Sequence, residues 1–497
     1  MLTLSMIVKN EDQYLEDCFR SVENIVDEIV LVDTGSTDKT LEIAEKYNAK
    51  VFHFKWINDF AAARNFALEN STGDWILYLD ADEKLSPKSK QEILNLTKTK
   101  KSVAYNCRLL NIDEHNNRPS VMKYVRLFPK DKKIRFEGAV HEQIESSLLK
   151  NKIVVKESDI EIIHVGYNLS IDGLKLKAKR NLEILKKEFE KYKTGYYAFH
   201  LGQTYALLAE NEKAIECFKL ALNLDDLKNE YKALIYRFLA VKNAEASNWH
   251  EAYNFITKSI QYDKYQPLNL IAAGRIFIKV GKYDEAAKLC YDAYNINMKL
   301  KSGEEKSNQA ILMDEKDLIY HSLDIALNSK DKDLFNFFHS KLQMIVGKKD
   351  IQLELINRIL NGQLLDDDFI NLSTNEISKE NLDFFLNIIS NYDDMLIQEK
   401  ILIGINKKFP DNCTVLNKLG SILSQQNKFE EAREKFNESY ISNPKEPSTI
   451  FYLVSSYLQT KNISEIPPLI ISAEETFQNQ PQIIQKIDLL KQKIGIV

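Results

Sequence analysis

Gly73-Asp74-Trp75-Ile76-Leu77-Tyr78-Leu79-Asp80-Ala81-Asp82-Glu83 is the stretch that decides the fold. Its five consecutive apolar residues, Trp75 to Leu79, are too few for most helices and suit a strand buried on both faces. Asp80 and Asp82 then stand at the carboxyl end of that strand, which in an open α/β sheet is the ligand crevice. Two carboxylates one residue apart suit a hard divalent cation, and such a cation suits a diphosphate. An acidic turn ahead of a helix would show the same residues.

The surroundings repeat the pattern. Leu2 to Val8 predicts a strand, Lys9 to Asp12 a loop, and Tyr14, Leu15, Cys18, Phe19 and Val22 the apolar face of a helix. A second short apolar run, Ile29 to Val32, ends in Asp33 and is followed by Thr34-Gly35-Ser36-Thr37-Asp38 and a helical pattern with Leu41, Ile43, Ala44 and Tyr47. Gly35 fits a tight turn, and Ser36, Thr37 or Asp38 can cap the helix. Val51 to Phe54 reads as a strand and Asp59 to Asn70 as an Ala-rich helix. This alternation predicts an α/β domain built on a mostly parallel sheet with helices on both faces.

Four segments in one order resemble family 2 glycosyltransferases of the GT-A fold: Ser5-Met6-Ile7-Val8-Lys9-Asn10-Glu11, Val32-Asp33-Thr34-Gly35-Ser36-Thr37-Asp38, Asp59-Phe60-Ala61-Ala62-Ala63-Arg64-Asn65 and Leu79-Asp80-Ala81-Asp82-Glu83. They look most like the branch of glycocin S-glycosyltransferases and flagellin-type protein glycosyltransferases, where tetratricopeptide helices follow the catalytic domain. The resemblance covers residues 1 to about 170. It implies that Asp33 holds the uracil or ribose of a UDP-sugar, with Val8 and Asn10 also at the nucleotide, and that Arg64 lies against the base or diphosphate. It places Asp80 near ribose and metal, and makes Asp82 the direct ligand of Mn²⁺ or Mg²⁺ with His164 completing the metal shell. For His164 a hydrogen-bonded histidine at a strand end is an equally simple reading, as a surface charge is for Arg64 and a helix cap for Asp33.

The acceptor side lies in Arg126-Leu127-Phe128-Pro129, Arg135 to Glu142 and Ile160-Glu161-Ile162-Ile163-His164-Val165-Gly166-Tyr167. An inverting transferase needs a base opposite the leaving group; Glu142 is the first candidate and His141 the second, with His141 or Arg135 expected to orient the Glu142 carboxylate.

The chain has 497 residues, more than one core usually serves. Its net charge of −5, from 67 Lys+Arg and 72 Asp+Glu, offers no cationic surplus for nucleic acid. Cys18, Cys107, Cys217, Cys290 and Cys413 show neither metal spacing nor a disulfide framework, which predicts a reducing compartment. Met1 to Val8 lacks a basic leader and a small-residue cleavage site, no apolar run reaches membrane-span length, and the Gln-x-x-Arg-Trp motif of processive relatives is absent, so a cytoplasmic protein is expected.

From about Asp172 the texture becomes helical. Leu201, Gly202, Tyr205, Ala214, Phe218 and Ala221 fall at tetratricopeptide positions, and the phase recurs at Gly274, Phe277, Ala286 and Ala293 and again at Gly420, Ala432, Phe436 and Pro444. The expected division is a GT-A domain over 1–171, tetratricopeptide helices over 172–300, degenerate repeats with room for about three helix pairs over 301–412, and further repeats over 413–497. Lys299 to Gln309 reads as a loop between two halves of the solenoid. The reading is an inverting, metal-dependent transferase that moves GlcNAc or glucose from a UDP-sugar to a Ser, Thr or Cys side chain of a protein or peptide bound by the solenoid, which also offers a surface for homo-oligomers. The alternatives are a glycan or lipid-linked acceptor, or a tetratricopeptide adaptor with an inactive transferase domain.

Overall fold

A computed structural model describes residues 1–99, 102–112, 120–165, 171–304, 309–347, 349–478 and 480–495. The first elements are β1 (Leu2–Val8), α1 (Leu15–Val22), β2 (Glu28–Asp33), α2 (Thr40–Lys46), β3 (Lys50–His53), α3 (Phe60–Asn70) and β4 (Trp75–Tyr78). The strands lie in the order β3-β2-β1-β4, all parallel. Burial on both faces explains the unbroken apolar runs: Leu4, Leu31, Ile76 and Leu77 are fully buried. Asp59 starts α3 by accepting from the Ala62 N–H at 2.8 Å.

The sheet continues through β5 (Glu83–Leu85), α4 (Lys90–Leu96), β6 (Val103–Asn111), β7 (Ser120–Pro129), α5 (Glu145–Lys150) and β8 (Val154–His164). Here it is mixed. β7 is antiparallel to both β4 and β6, β5 is antiparallel to β8, and β8 is parallel to β6. The expected parallel alternation therefore describes the first four strands, while β6 and β7, joined by a stretch too short for a crossover, pair antiparallel.

Three helices follow, α6 (Ile171–Tyr192), α7 (Gly195–Leu207) and α8 (Asn211–Leu222). α7 and α8 cross closely: a Cβ on Gly202 would lie 2.5 Å from the Phe218 ring, so the repeat's small residue makes room for its aromatic. Val140 packs with Leu182, Leu185, Tyr197 and Leu201, so these helices share a core with the loop after β7. The segment expected as a loop differs: a helix runs through Ser302, residues 305–308 lie outside the described residues, and Gln309–Ile311 forms β9, antiparallel to Ser120–Met122 of β7. Ala310 and Leu312 are buried there with Val121 and Leu300, and this apolar contact makes a strand of what its polar composition presents as a loop. Gly166 and Tyr167 of the expected acceptor segment also lie outside the described residues.

The chain divides into two compact units, Met1–Leu239 with Phe255–Leu270 and Asn295–Asp314, and Ala240–Asn254 with Ile271–Tyr294 and Glu315–Val497. In the second unit six described helices occupy residues 315–408, and Gly420 meets the Phe436 ring as Gly202 meets Phe218. No helix among the described residues is long and apolar enough to cross a membrane.

Candidate active site

Strand register assembles the site. Glu83 of β5 pairs with His164 of β8, and His164 pairs with Asn111 of β6, so the ends of three strands meet beside the turn that leaves β4. That turn is locked reciprocally: the Asp80 N–H donates to Glu83 Oε2 at 2.9 Å and the Glu83 N–H to the Asp80 carbonyl at 3.0 Å. Asp82 Oδ2 lies 3.1 Å from His164 Nε2, and His164 Nδ1 lies 2.6 Å from Asn111 Oδ1. Burial alone would lower the His164 pKa, but the facing Asp82 raises it.

Asp80 turns away from that pair. Its Oδ1 accepts from Arg64 Nη2 at 2.7 Å and its Oδ2 lies 3.7 Å from Arg126 Nη2. Arg126, buried on β7, also donates to Glu83 Oε1 at 2.5 Å, while Arg64 Nε donates to Glu142 Oε1 at 2.5 Å. The result is a ladder of alternating charge, Glu83, Arg126, Asp80, Arg64, Glu142. Both guanidinium groups lie over the Tyr78 ring, at 4.2 Å for Arg126 and 5.1 Å for Arg64. Burial opposes the charge on Asp80, yet the two arginines hold its carboxyl well below the usual range; Glu83, more deeply buried and facing Asp80, is pushed up to about 7. Arg126 Nε is buried without a partner among the described residues.

The expected orientation of the base is thus corrected. Arg64 holds Glu142, whereas Arg135 reaches Glu69 at 3.4 Å and His141 turns to stack on His200 of α7 with ring centres 4.0 Å apart. Desolvation first, and then Lys177, lower the His141 pKa. Both residues sit on a tight loop closed by the Glu137–Gln143 bridge. The loop is clipped to the helices: Glu188 accepts from the Ala139 N–H at 2.8 Å and the Tyr197 hydroxyl at 3.0 Å, and the Tyr196 hydroxyl donates to the His141 carbonyl at 2.9 Å.

Asp33 accepts from the N–H groups of Gly35 at 3.1 Å and Ser36 at 3.0 Å, with His53 Nδ1 at 3.4 Å. Burial works against its charge, and these hydrogen bonds outweigh it and lower its pKa. Asn10, at a φ of 57°, accepts from the Thr37 N–H at 2.8 Å, and the Val8 carbonyl accepts from Thr34 at 3.0 Å, so the loops after β1 and β2 are tied together.

A cleft of about 1140 Å³ collects Val8, Arg64, Asp80, Asp82, Glu142 and His164. Asp33 and Asn10 are outside its lining and stand beside it in the β1 and β2 loops. Sequence reasoning gave no role to Glu11, Lys177 and Arg180, which also line the cleft, nor to Glu83 and Arg126 behind it. Glu11 is raised to about 7 by burial and by the negative charge of Asp82 and Asp80. A lone arginine inside the apolar run Val125-Arg126-Leu127-Phe128 was the legible signal for one of them. Among the described residues no three His, Cys, Asp or Glu side chains converge as a metal-binding group.

A parallel β3-β2-β1-β4 sheet with carboxylates gathered at its carboxyl edge, continued by a mixed half that supplies a histidine and a glutamate, defines a GT-A-like domain. Residues 3–156 match the model of Glycosyl transferase family 2, and residues 196–226 that of a tetratricopeptide repeat, so the chain carries a family 2 glycosyltransferase domain followed by tetratricopeptide helices. It is similar to the SPbeta prophage-derived glycosyltransferase SunS of Bacillus subtilis, 31% identical over 231 residues that cover 45% of this chain and 53% of SunS. It is also similar to a TPR repeat-containing protein of Synechococcus elongatus, 38% identical over 148 residues that cover 30% of this chain and 36% of the relative. The chain thus spans about half or less of the length of these relatives. A crystal structure of S. aureus TarS 1-349 in complex with UDP-GlcNAc aligns at 15% identity with a TM-score of 0.31, over 53% of this chain and 91% of that one.

Proposed function

We propose that the chain is an inverting, metal-dependent glycosyltransferase that moves GlcNAc or glucose from a UDP-sugar to a Ser, Thr or Cys side chain of a polypeptide. The observation that carries this reading is one cleft that holds both Asp82 beside His164 and Glu142 gripped by Arg64.

Asp82 and His164 fit a divalent cation. Their oxygen and nitrogen lie side by side, and Asn111 fixes the other ring nitrogen, as such imidazoles require. Burial first, and then the charge of Asp82 and Asp80, raise Glu11, and that charge is what a cation would offset. Asp82 and His164 would hold Mn²⁺ or Mg²⁺, which when bound would neutralise charge on the departing diphosphate. Arg64 Nη1, which makes no hydrogen bond among the described residues, and the rim cations Lys177 and Arg180 suit the diphosphate as well. Asp33 has lone pairs beyond those used in its turn and can accept from uracil N–H or a ribose hydroxyl. Glu142 takes the acceptor proton as the new bond forms, while Arg64 keeps its carboxylate aimed.

The test follows UDP release and mass spectrometry of polypeptide acceptors with UDP-GlcNAc and UDP-glucose. Transfer should stop in EDTA and return with Mn²⁺ or Mg²⁺, and Asp82→Ala should abolish it while leaving the fold intact. Full activity in EDTA would remove the cation from the reading; transfer to oligosaccharides alone would replace the acceptor.

A further inference from the structure

On the far side of the loop over residues 137–143 lies a second groove of about 750 Å³. His141 lines both it and the donor cleft, so the loop that presents Glu142 to the donor is a thin wall between two cavities. The groove's opposite wall comes from the helices, with Tyr192, Tyr196, Tyr197, Lys228 and Tyr231. We propose that this groove seats an extended segment of the acceptor polypeptide, whose reactive side chain passes His141 to reach Glu142. The proposal rests on the transferase reading above and gives its acceptor a place and a chemistry.

Position is the first argument. An acceptor must approach the base from outside the nucleotide site, and this groove meets the donor cleft at the residue next to the base. Chemistry is the second. Tyrosine supplies large contact area at low entropic cost together with a polar tip, which suits peptide backbone and mixed side chains. The Tyr231 hydroxyl makes no hydrogen bond among the described residues, and Lys228 makes no ion pair among them. The shape of the wall favours a peptide over a sugar. Tyr196 meets Tyr197 at 73° and Tyr231 at 62°, and Tyr192 and Tyr197 stack on each other, so the rings form a corrugated surface in place of one flat platform for a pyranose.

The experiment uses the full chain with UDP-GlcNAc and a library of ten-residue synthetic peptides, each with a central Ser, Thr or Cys. The variants are Tyr192→Ala and Lys228→Glu, both on exposed side chains outside the transfer machinery. The expected result is a rise of tenfold or more in KM for the peptides that the wild type modifies. UDP-GlcNAc hydrolysis and donor affinity should stay within twofold, which also reports that the variants are folded. Unchanged peptide KM in both variants overturns the groove. Wild-type transfer to an oligosaccharide and to no peptide overturns the occupant while leaving the transferase reading standing. A wild type that neither binds nor hydrolyses UDP-GlcNAc or UDP-glucose overturns the donor reading, and the proposal with it.

Discussion

Arg64 is the residue on which the site's charges depend, because it pairs two carboxylates on different segments while almost fully enclosed. Arg64→Met should cost about 3–5 kcal/mol in chemical denaturation, since it strands Glu142 without its counter-charge and leaves Asp80 only Arg126 at 3.7 Å. Glu142→Gln keeps the size and loses the base: turnover on Ser or Thr should fall about 10² to 10⁴-fold with donor affinity unchanged. On a Cys acceptor, whose thiol is partly ionised near neutral pH, the loss should be smaller. Retained turnover on Ser and Thr would place the base elsewhere. The metal-free cleft also sets a pH dependence. Glu11 has a folded pKa of about 7, above its ordinary value, so the folded state binds more protons than the unfolded one between roughly pH 4.5 and 7 and loses stability as pH rises through that window. His164, also raised, has the same sign: its stabilisation is full below the ordinary imidazole pKa and fades as pH rises through the higher folded value. His141 and His200, both lowered, act with the opposite sign, so the check is the difference between variants: in EDTA, Glu11→Gln should lose less melting temperature than the wild type as pH rises from 5 to 7.

Among the elements, the loop over residues 137–143 is the most constrained. Gly138 has a φ of +98°, and a Cβ there would sit 2.7 Å from the Tyr197 hydroxyl, so neither the backbone nor the space admits a side chain. Gly138→Ala should cost about 1–3 kcal/mol and lower kcat/KM for the acceptor more than it lowers donor hydrolysis. Equal losses would mean that the loop serves stability alone. This loop was hard to read in sequence. Strands β1, β2 and β4 announce themselves because burial on both faces demands unbroken apolar runs, and the carboxylates that end them stand out for the same reason. A loop shaped by Glu188 and Tyr197, residues some fifty positions later, leaves no local pattern. The same holds for Lys177 and Arg180, which enter the cleft from a helix beyond the catalytic motifs, and for Glu83 and Arg126, whose pairing exists only once β5 and β7 are placed.

For the whole molecule, β9 matters most, because three residues near position 310 complete a sheet whose other strands end at residue 164. A chain cut after residue 304 should leave Ser120–Met122 as an open edge and aggregate more than one cut after residue 314, as light scattering would report. Equal behaviour of the two would make β9 incidental. The same arrangement bears on synthesis. At about 5–20 residues per second, the roughly 190 residues between the paired segments of β7 and β9 take the ribosome on the order of 10–40 s to add. Throughout that interval the nascent catalytic sheet has a bare edge that only later-made chain can cover, so a chaperone that shields strand edges should raise the yield of folded protein more when translation is slowed than when it is fast.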